Sequence, residues 1–275
     1  YVMYVIHLAV AVPMLIIEVP FGKWSHLFYR PLAIFLANVR DKASEDSGIE
    51  VEDVIAEASE IFMSCLQCGT CTSVCPWNQV MSYSPRRILR QLALETGTEQ
   101  SIDQAVWSCV TCNACGVNCP RGIEIIDVIK AVRGRNLSGG KIPTSLVAPL
   151  DSLKTRGNPW GGVRTKRLEW AGGRNLPVFT PEHEYCLFAC CTTAYDLSNR
   201  KAGQAILQLL DYAGIALGTL GAEESCCGDP AHRLGANEIF SELALKNTDL
   251  FLQAGVQKIL TTSPHCLNAF KNSYD

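Results

Sequence analysis

Apolar and polar positions follow three different rhythms along this chain. The first 17 residues, YVMYVIHLAVAVPMLII, carry no charge, and the run approaches the roughly 20 apolar residues that a membrane-crossing helix needs. It predicts the end of a transmembrane helix whose beginning is missing, with a buried hairpin of a soluble domain as the alternative. A secretory signal peptide would need a basic front and a small-residue cleavage site, and neither is present. Lys23, Trp24, His26, Tyr29 and Arg30 follow, the aromatic and basic residues of an interfacial belt on the cytoplasmic side. The apolar stretch 31–39 is too short to span and is expected to lie along the surface or to end the helix.

The second rhythm is helical. After a polar link at residues 40–48, Val51, Val54, Ile55, Ala58, Ile61 and Phe62 recur at i, i+3, i+4 and i+7. Ser84 is placed to cap a helix whose first turn holds Pro85, with Ile88, Leu89, Leu92 and Ala93 as its stripe and Gly97 as its end. Another helix is predicted from about residue 124 to 133. Residues 136–182 contain SGGKIP, RGNPWGG and WAGGRNLP and keep no sustained period, which predicts a Gly/Pro-rich connector. Trp160 and Trp170 within it suggest that it packs on something.

From Tyr185 the pattern changes again. YCLFAC predicts a buried strand, residues 199–213 an amphipathic helix ending near Gly214, IALGTL a second strand, 235–254 a helix and 256–262 a third strand. Such alternation implies parallel pairing.

Composition narrows the chemistry. A chain of 275 residues has room for about two ordinary domains. A formal charge of -3 argues against nucleic acid as a partner, because its binders carry a basic stripe. Fourteen cysteines are many for this length. If they serve as thiolate ligands they must stay reduced, which puts them in the cytoplasm.

Eight of those cysteines fall in two runs, CLQCGTCTSVCP (Cys65, Cys68, Cys71, Cys75) and CVTCNACGVNCP (Cys109, Cys112, Cys115, Cys119). Both read C-x2-C-x2-C-x3-C-P, the spacing with which bacterial-type ferredoxin domains hold [4Fe–4S] clusters, the fourth cysteine of each run ligating the other cluster. Cys65, Cys68, Cys71 and Cys119 are therefore expected on cluster 1, and Cys109, Cys112, Cys115 and Cys75 on cluster 2. Zinc sites come as C-x2-C knuckles across a longer spacer, and disulfide frameworks belong to small secreted domains; neither explains two identical four-cysteine runs. The expected fold class is multi-domain. A transmembrane α-helix end belonging to a cytochrome b-like segment (1–39) precedes an all-α ferredoxin-like two-[4Fe–4S] domain (40–135). The connector (136–182) leads to an α/β domain (183–275).

That last domain carries a second constellation. ACCTTAYD, ESCCGDPAHRLG and TTSPHCLNAF place Cys191, Cys226, Cys227 and Cys266 at strand ends or in the turns after them, where parallel sheets build sites. Cys186 reads as a packed strand residue and Cys190 has no assigned role. These segments closely resemble the cysteine-rich CCG domain of heterodisulfide reductases, glycolate and lactate oxidase iron–sulfur subunits, and membrane oxidoreductases that accept electrons from electron transfer flavoprotein. In this chain 34 residues separate Cys191 from Cys226 and 35 separate Cys227 from Ser263. Ser263 stands where the family has the first cysteine of its CxxC. The resemblance implies a possible additional iron–sulfur cluster at Cys191, Cys226, Cys227 and Cys266, and a second CCG copy beyond residue 275.

His7 is an ionisable residue inside the apolar run, a functional candidate by default at membrane depth. His26 follows 19 residues later, about 28 Å along a helix and about 100° around it; Pro13 and Pro20 are placed to supply a kink. VPFGKWSH resembles the last transmembrane helix of the nitrate-reductase gamma-type cytochrome b subunit, which implies that His7 and His26 ligate b haem. Taken whole, the chain most resembles CCG-type membrane oxidoreductases linking electron transfer flavoprotein to quinone. That resemblance implies an inner-membrane oxidoreductase with its cluster domains on the cytoplasmic side. Its partners would be a soluble flavoprotein donor, membrane quinone and the lipid bilayer. Two rivals stand beside it: a heterodisulfide reductase-like disulfide/quinol oxidoreductase, and a non-catalytic electron-relay subunit.

Overall fold

The computed structural model describes residues 64–81, 83–94 and 99–274, with Val2, Val5, Val12 and Pro13. It divides into two compact units, Tyr1–Val128 and Ile129–Asp275.

In the first unit the two cysteine runs take matching shapes. Each forms one short helix, Thr70–Ser73 and Ala114–Val117, entered through a left-handed residue, Gly69 at φ 86° and Asn113 at φ 59°. The two helices pack on each other. Between the runs, the Pro85–Leu94 helix opens with the Arg87 N–H donating to Ser84 Oγ at 3.4 Å. Ile88 and Leu89 are buried while Arg86, Arg87 and Arg90 are exposed, so the apolar stripe faces inward and the arginines stay hydrated. Leu89, Ile123, Ile125 and Val128 form a core with Cys71 and Cys115. At about 1.5–3 kcal/mol for each large apolar side chain buried, this small core is itself built around two of the cysteines.

The helix predicted to close near residue 133 runs on as Ile125–Ser138. It ends where Gly139 and Gly140 follow and the Lys141 N–H returns to the Asn136 carbonyl at 2.7 Å.

The second unit holds a three-stranded parallel sheet ordered β2-β1-β3, with β1 Tyr185–Phe188, β2 Leu217–Gly218 and β3 Ile259–Thr261. Central β1 is apolar throughout because Cys186, Leu187 and Phe188 are all buried, as a parallel strand covered on both faces requires. The helices Leu197–Tyr212 and Asn237–Ala254 make the crossovers to β2 and β3. Asp196 caps the first, accepting from the Ser198 N–H at 3.0 Å. Because β1 lies between β2 and β3, the first crossover runs one way along the sheet, from β1 to β2, and the second runs back past β1 to β3. That leaves a crevice beyond the carboxyl ends of the strands.

The Gly/Pro-rich stretch contributes a helix, Thr144–Arg156, whose Leu150 and Leu153 join a core with Phe188 and Phe251. Trp170 is fully buried against Leu187, Leu207 and Leu217, whereas Trp160 is half exposed. Trp170 also explains Gly203 in the middle of a helix: a Cβ there would lie 2.8 Å from the indole and 2.5 Å from Thr193 Cγ2.

One part of the expected fold class is corrected. Among the described residues no helix is long and apolar enough to cross a membrane. Pro13 lies inside the uncharged run and interrupts its helical hydrogen bonding, and Glu18 directly after it ends the run with a charge. Val2, Val5 and Val12 are exposed. His7, His26, the stretch 31–39 and the helix expected over 51–62 lie outside the described residues.

Candidate functional site

The cysteine loops of the first unit are wound alike. Gln67 (φ 52°) and Thr111 (φ 53°), each directly before the second cysteine of its run, adopt the left-handed conformation that side chains other than glycine rarely take. Strain of this kind collects where a loop must wrap a ligand. It turns donors toward sulfur: the Thr111 N–H reaches Cys109 Sγ at 3.4 Å and Gln67 Nε2 reaches Cys65 Sγ at 3.3 Å. Exposure repeats as well. Cys68 and Cys112 are exposed, Cys71 and Cys115 buried, and the other four intermediate.

Two cavities result. One is lined by Cys65, Cys68, Cys71 and Cys119, the other by Cys75, Cys109, Cys112 and Cys115. Counted with the open solvent at their mouths they extend over about 330 and 320 Å³, so the two are alike in extent. Each draws its fourth cysteine from the other run. No disulfide joins any two of the fourteen cysteines among the described residues. Burial raises the Cys71 thiol pKa, and burial with neighbouring Cys109 raises Cys115 to about 12. These thiols would ionise only against strong positive charge, which iron supplies. The donor set and the cavities therefore fit [4Fe–4S] clusters. Among the described residues no three His, Cys, Asp or Glu side chains converge tightly enough for one metal ion; in a cluster each thiolate binds a different iron.

The cavities differ in polarity. Arg86 and Arg121 line the first, whereas no charged side chain lines the second, which is walled by Trp77, Met81, Pro85, Val110 and Ile126.

In the second unit the sheet gathers cysteines from distant sequence. Cys190 and Cys191 follow β1, Cys226 and Cys227 follow β2, and Cys266 follows β3. Their thiols form one connected set. Cys191, Cys226, Cys227 and Cys266 share one buried cluster, with Cys190 packed against it. Hydrogen bonding by neighbouring thiols favours the thiolate at Cys227, which falls to about 5, and at Cys191, which falls to about 7. The thiols around Cys226 and Cys190, together with burial, push these two up. Cys190 lowers Cys266, yet Cys227 and burial leave it raised. Cys186 stands apart, its thiol pushed up to about 12 by burial and by Glu224.

Gly228 lets this loop turn. It sits at φ 83°, and a Cβ there would lie 2.6 Å from the Phe240 ring. Asn247 and Tyr274 then fix the Cys226–Cys227 peptides. Asn247 Nδ2 donates to the Cys226 carbonyl at 2.9 Å, the Tyr274 hydroxyl donates to the Cys227 carbonyl at 3.0 Å, and Asn247 Oδ1 accepts the Ser225 N–H at 3.1 Å.

A buried ion pair backs the thiols. Arg167 and Glu224 are each about 1% exposed and meet at 3.2 Å. Arg167 also donates to the Ala189 carbonyl at 2.8 Å and to Cys191 Sγ at 3.5 Å. Burial works against its charge, but Cys191 and Glu224 more than offset that and hold its pKa above the usual value. Glu224 is raised by burial, with Arg167 and a 2.9 Å hydrogen bond from Thr219 Oγ1 opposing.

Sequence reasoning missed Arg167, Glu224, Asn247, Tyr274 and the contacts of Cys190. Asn247 alone left a signal: it lies four residues from both Leu243 and Phe251, a polar side chain on the stripe that all three bury.

A family model described as a 4Fe–4S dicluster domain matches residues 37–123, and one described as a cysteine-rich domain, CCG, matches residues 185–271. An EtfAB:quinone oxidoreductase of Syntrophomonas wolfei is 30% identical, over 98% of this chain and 46% of its own length. A probable membrane-anchored ferredoxin of Chromohalobacter salexigens is 28% identical, over 78% of this chain and 37% of its own length. An iron–sulfur subunit of a CoB–CoM heterodisulfide reductase from Methanopyrus kandleri is 39% identical, over 34% of this chain and 48% of its own length. The chain spans about half the length of such relatives, or less.

Proposed function

We propose, for a chain that belongs with the iron–sulfur proteins joining a 4Fe–4S dicluster domain to a CCG domain, that it is the electron-carrying part of a quinone-linked oxidoreductase. Its donor is a soluble flavoprotein of the electron-transfer type and its acceptor is membrane quinone. The observation that carries this reading is the pair of four-cysteine cavities of matched size, each lined from both runs. Cys65, Cys68, Cys71 and Cys119 would hold one cluster, and Cys75, Cys109, Cys112 and Cys115 the other. One-electron uptake and release without proton transfer is the chemistry these clusters supply when bound.

The protein's own part is to gather the thiolates four to a cavity, with Cys71 and Cys115 out of solvent, and to aim N–H donors at sulfur. Fourteen cysteines with no disulfide among the described residues suit a reducing compartment, which favours the cytoplasmic face of the membrane for both cluster-bearing parts. The likeness to an EtfAB:quinone oxidoreductase across nearly the whole chain supports the choice of donor and acceptor. A b haem at His7 and His26 belongs to the same proposal and rests on the VPFGKWSH resemblance; a pyridine haemochrome spectrum tests it.

Anaerobic mixing of the iron-loaded protein with a reduced electron transfer flavoprotein tests the function. Bleaching of the cluster absorbance, followed by reoxidation with a soluble quinone, is the expected result. No bleaching by the flavoprotein, with disulfide reduction by the purified protein instead, would transfer the assignment to the heterodisulfide class.

A further inference from the structure

The CCG resemblance leaves one ligand position filled by Ser263. A hydroxyl is a hard oxygen donor that stays protonated at neutral pH, and a sulfur-rich iron site selects thiolates. Ser263 is in any case already employed: its Oγ accepts the His265 N–H at 3.2 Å at the start of the Pro264–Asn272 helix.

Beside it lies Cys190. The Cys190 N–H donates to Thr262 Oγ1 at 3.1 Å, which fixes this residue against the residue preceding Ser263. Its side chain packs against the buried cluster that holds Cys191, Cys226, Cys227 and Cys266. The two adjacent cysteines, Cys190 and Cys191, thus meet the same thiol set. The backbone makes this possible, since Cys190 is extended (φ -55°, ψ 145°) and Cys191 begins a helix. Cys186, four residues earlier on β1, is buried outside that cluster and is a natural control.

We propose that Cys190 is a ligand of an iron–sulfur cluster at the CCG site, supplying the thiolate that Ser263 cannot. The site then offers five thiolates, with the Arg167 guanidinium as the buried positive charge against them. This inference rests on the CCG site holding a cluster, and the test separates the two claims.

The full chain and its variants are reconstituted anaerobically with iron and sulfide, and iron per chain and the electron paramagnetic resonance spectrum are recorded. The unsubstituted chain is expected to hold more iron than the roughly eight atoms of two four-iron clusters. Cys190→Ala should fall to about eight and lose one set of signals, while Cys186→Ala keeps them. Adding Ser263→Cys to Cys190→Ala should restore the lost iron, a result that a misfolded variant could not give. Unchanged iron and signals in Cys190→Ala, with the starting chain above eight, overturn the role of Cys190 and leave the CCG cluster standing. About eight iron atoms in the starting chain overturn both.

Discussion

The two cysteine sites assemble thiols by opposite means. In the first unit three of each site's four ligand candidates sit three residues apart, and local backbone gathers those three, with left-handed residues at Gln67, Gly69, Thr111 and Asn113. In the second unit the thiols come from the ends of three strands, and a parallel sheet brings them together. A loop that wraps its ligand needs little beyond its own turns. A site at a sheet edge needs a scaffold, and here that includes a fully buried ion pair and the Asn247 and Tyr274 anchors. Each site should therefore fail in a different way.

The largest effect is expected in the first unit. Cys75→Ala should remove the cluster shared with Cys109, Cys112 and Cys115, lowering iron by about four atoms, and leave the signal that Cys71→Ala abolishes. If Cys75→Ala and Cys71→Ala extinguish the same signal, the ligands are not exchanged between runs. In the second unit the damage should appear as lost stability. Arg167→Met strands Glu224 in the interior, which costs about 3–5 kcal/mol; urea denaturation measures it, and Arg167→Met with Glu224→Gln should recover part of the loss. Equal destabilisation in the single and double variants would show that the packing of Arg167, and not its charge, supports the site.

A finer contrast lies within the first unit. Arg86 lines only one cavity, and positive charge near a cluster favours its reduced form. Arg86→Gln should lower the potential of the Cys65, Cys68, Cys71 and Cys119 cluster by on the order of tens of mV, leaving the other unchanged in a redox titration. An equal shift of both clusters would remove the distinction between the cavities.

Much of the second unit was legible as a pattern. The YCLF run became β1 because a strand covered on both faces has no need of polar alternation, and Gly214 follows the Leu197–Tyr212 helix closely. The stretch 136–182 was less legible. Its helix Thr144–Arg156 has a weak apolar stripe and Pro149 inside it, and its stability comes from the core that Leu150 and Leu153 enter. The membrane span expected from the first 17 residues is not borne out: among the described residues no helix is long and apolar enough to cross a membrane.

By itself the sequence determined the two C-x2-C-x2-C-x3-C runs and the chemistry they carry, because ligand spacing within a loop is a local property. It also placed Cys191, Cys226, Cys227 and Cys266 near strand ends. Only the tertiary structure decided that Cys190 packs against the cluster containing Cys266, that Arg167 and Glu224 lie buried behind Cys191, and that Asn247 holds the paired cysteines. Those contacts join residues that lie 20 or more positions apart, up to 76 for Cys190 and Cys266. Their geometry is set by how a parallel sheet stacks its strand ends, and no spacing rule along the chain encodes it.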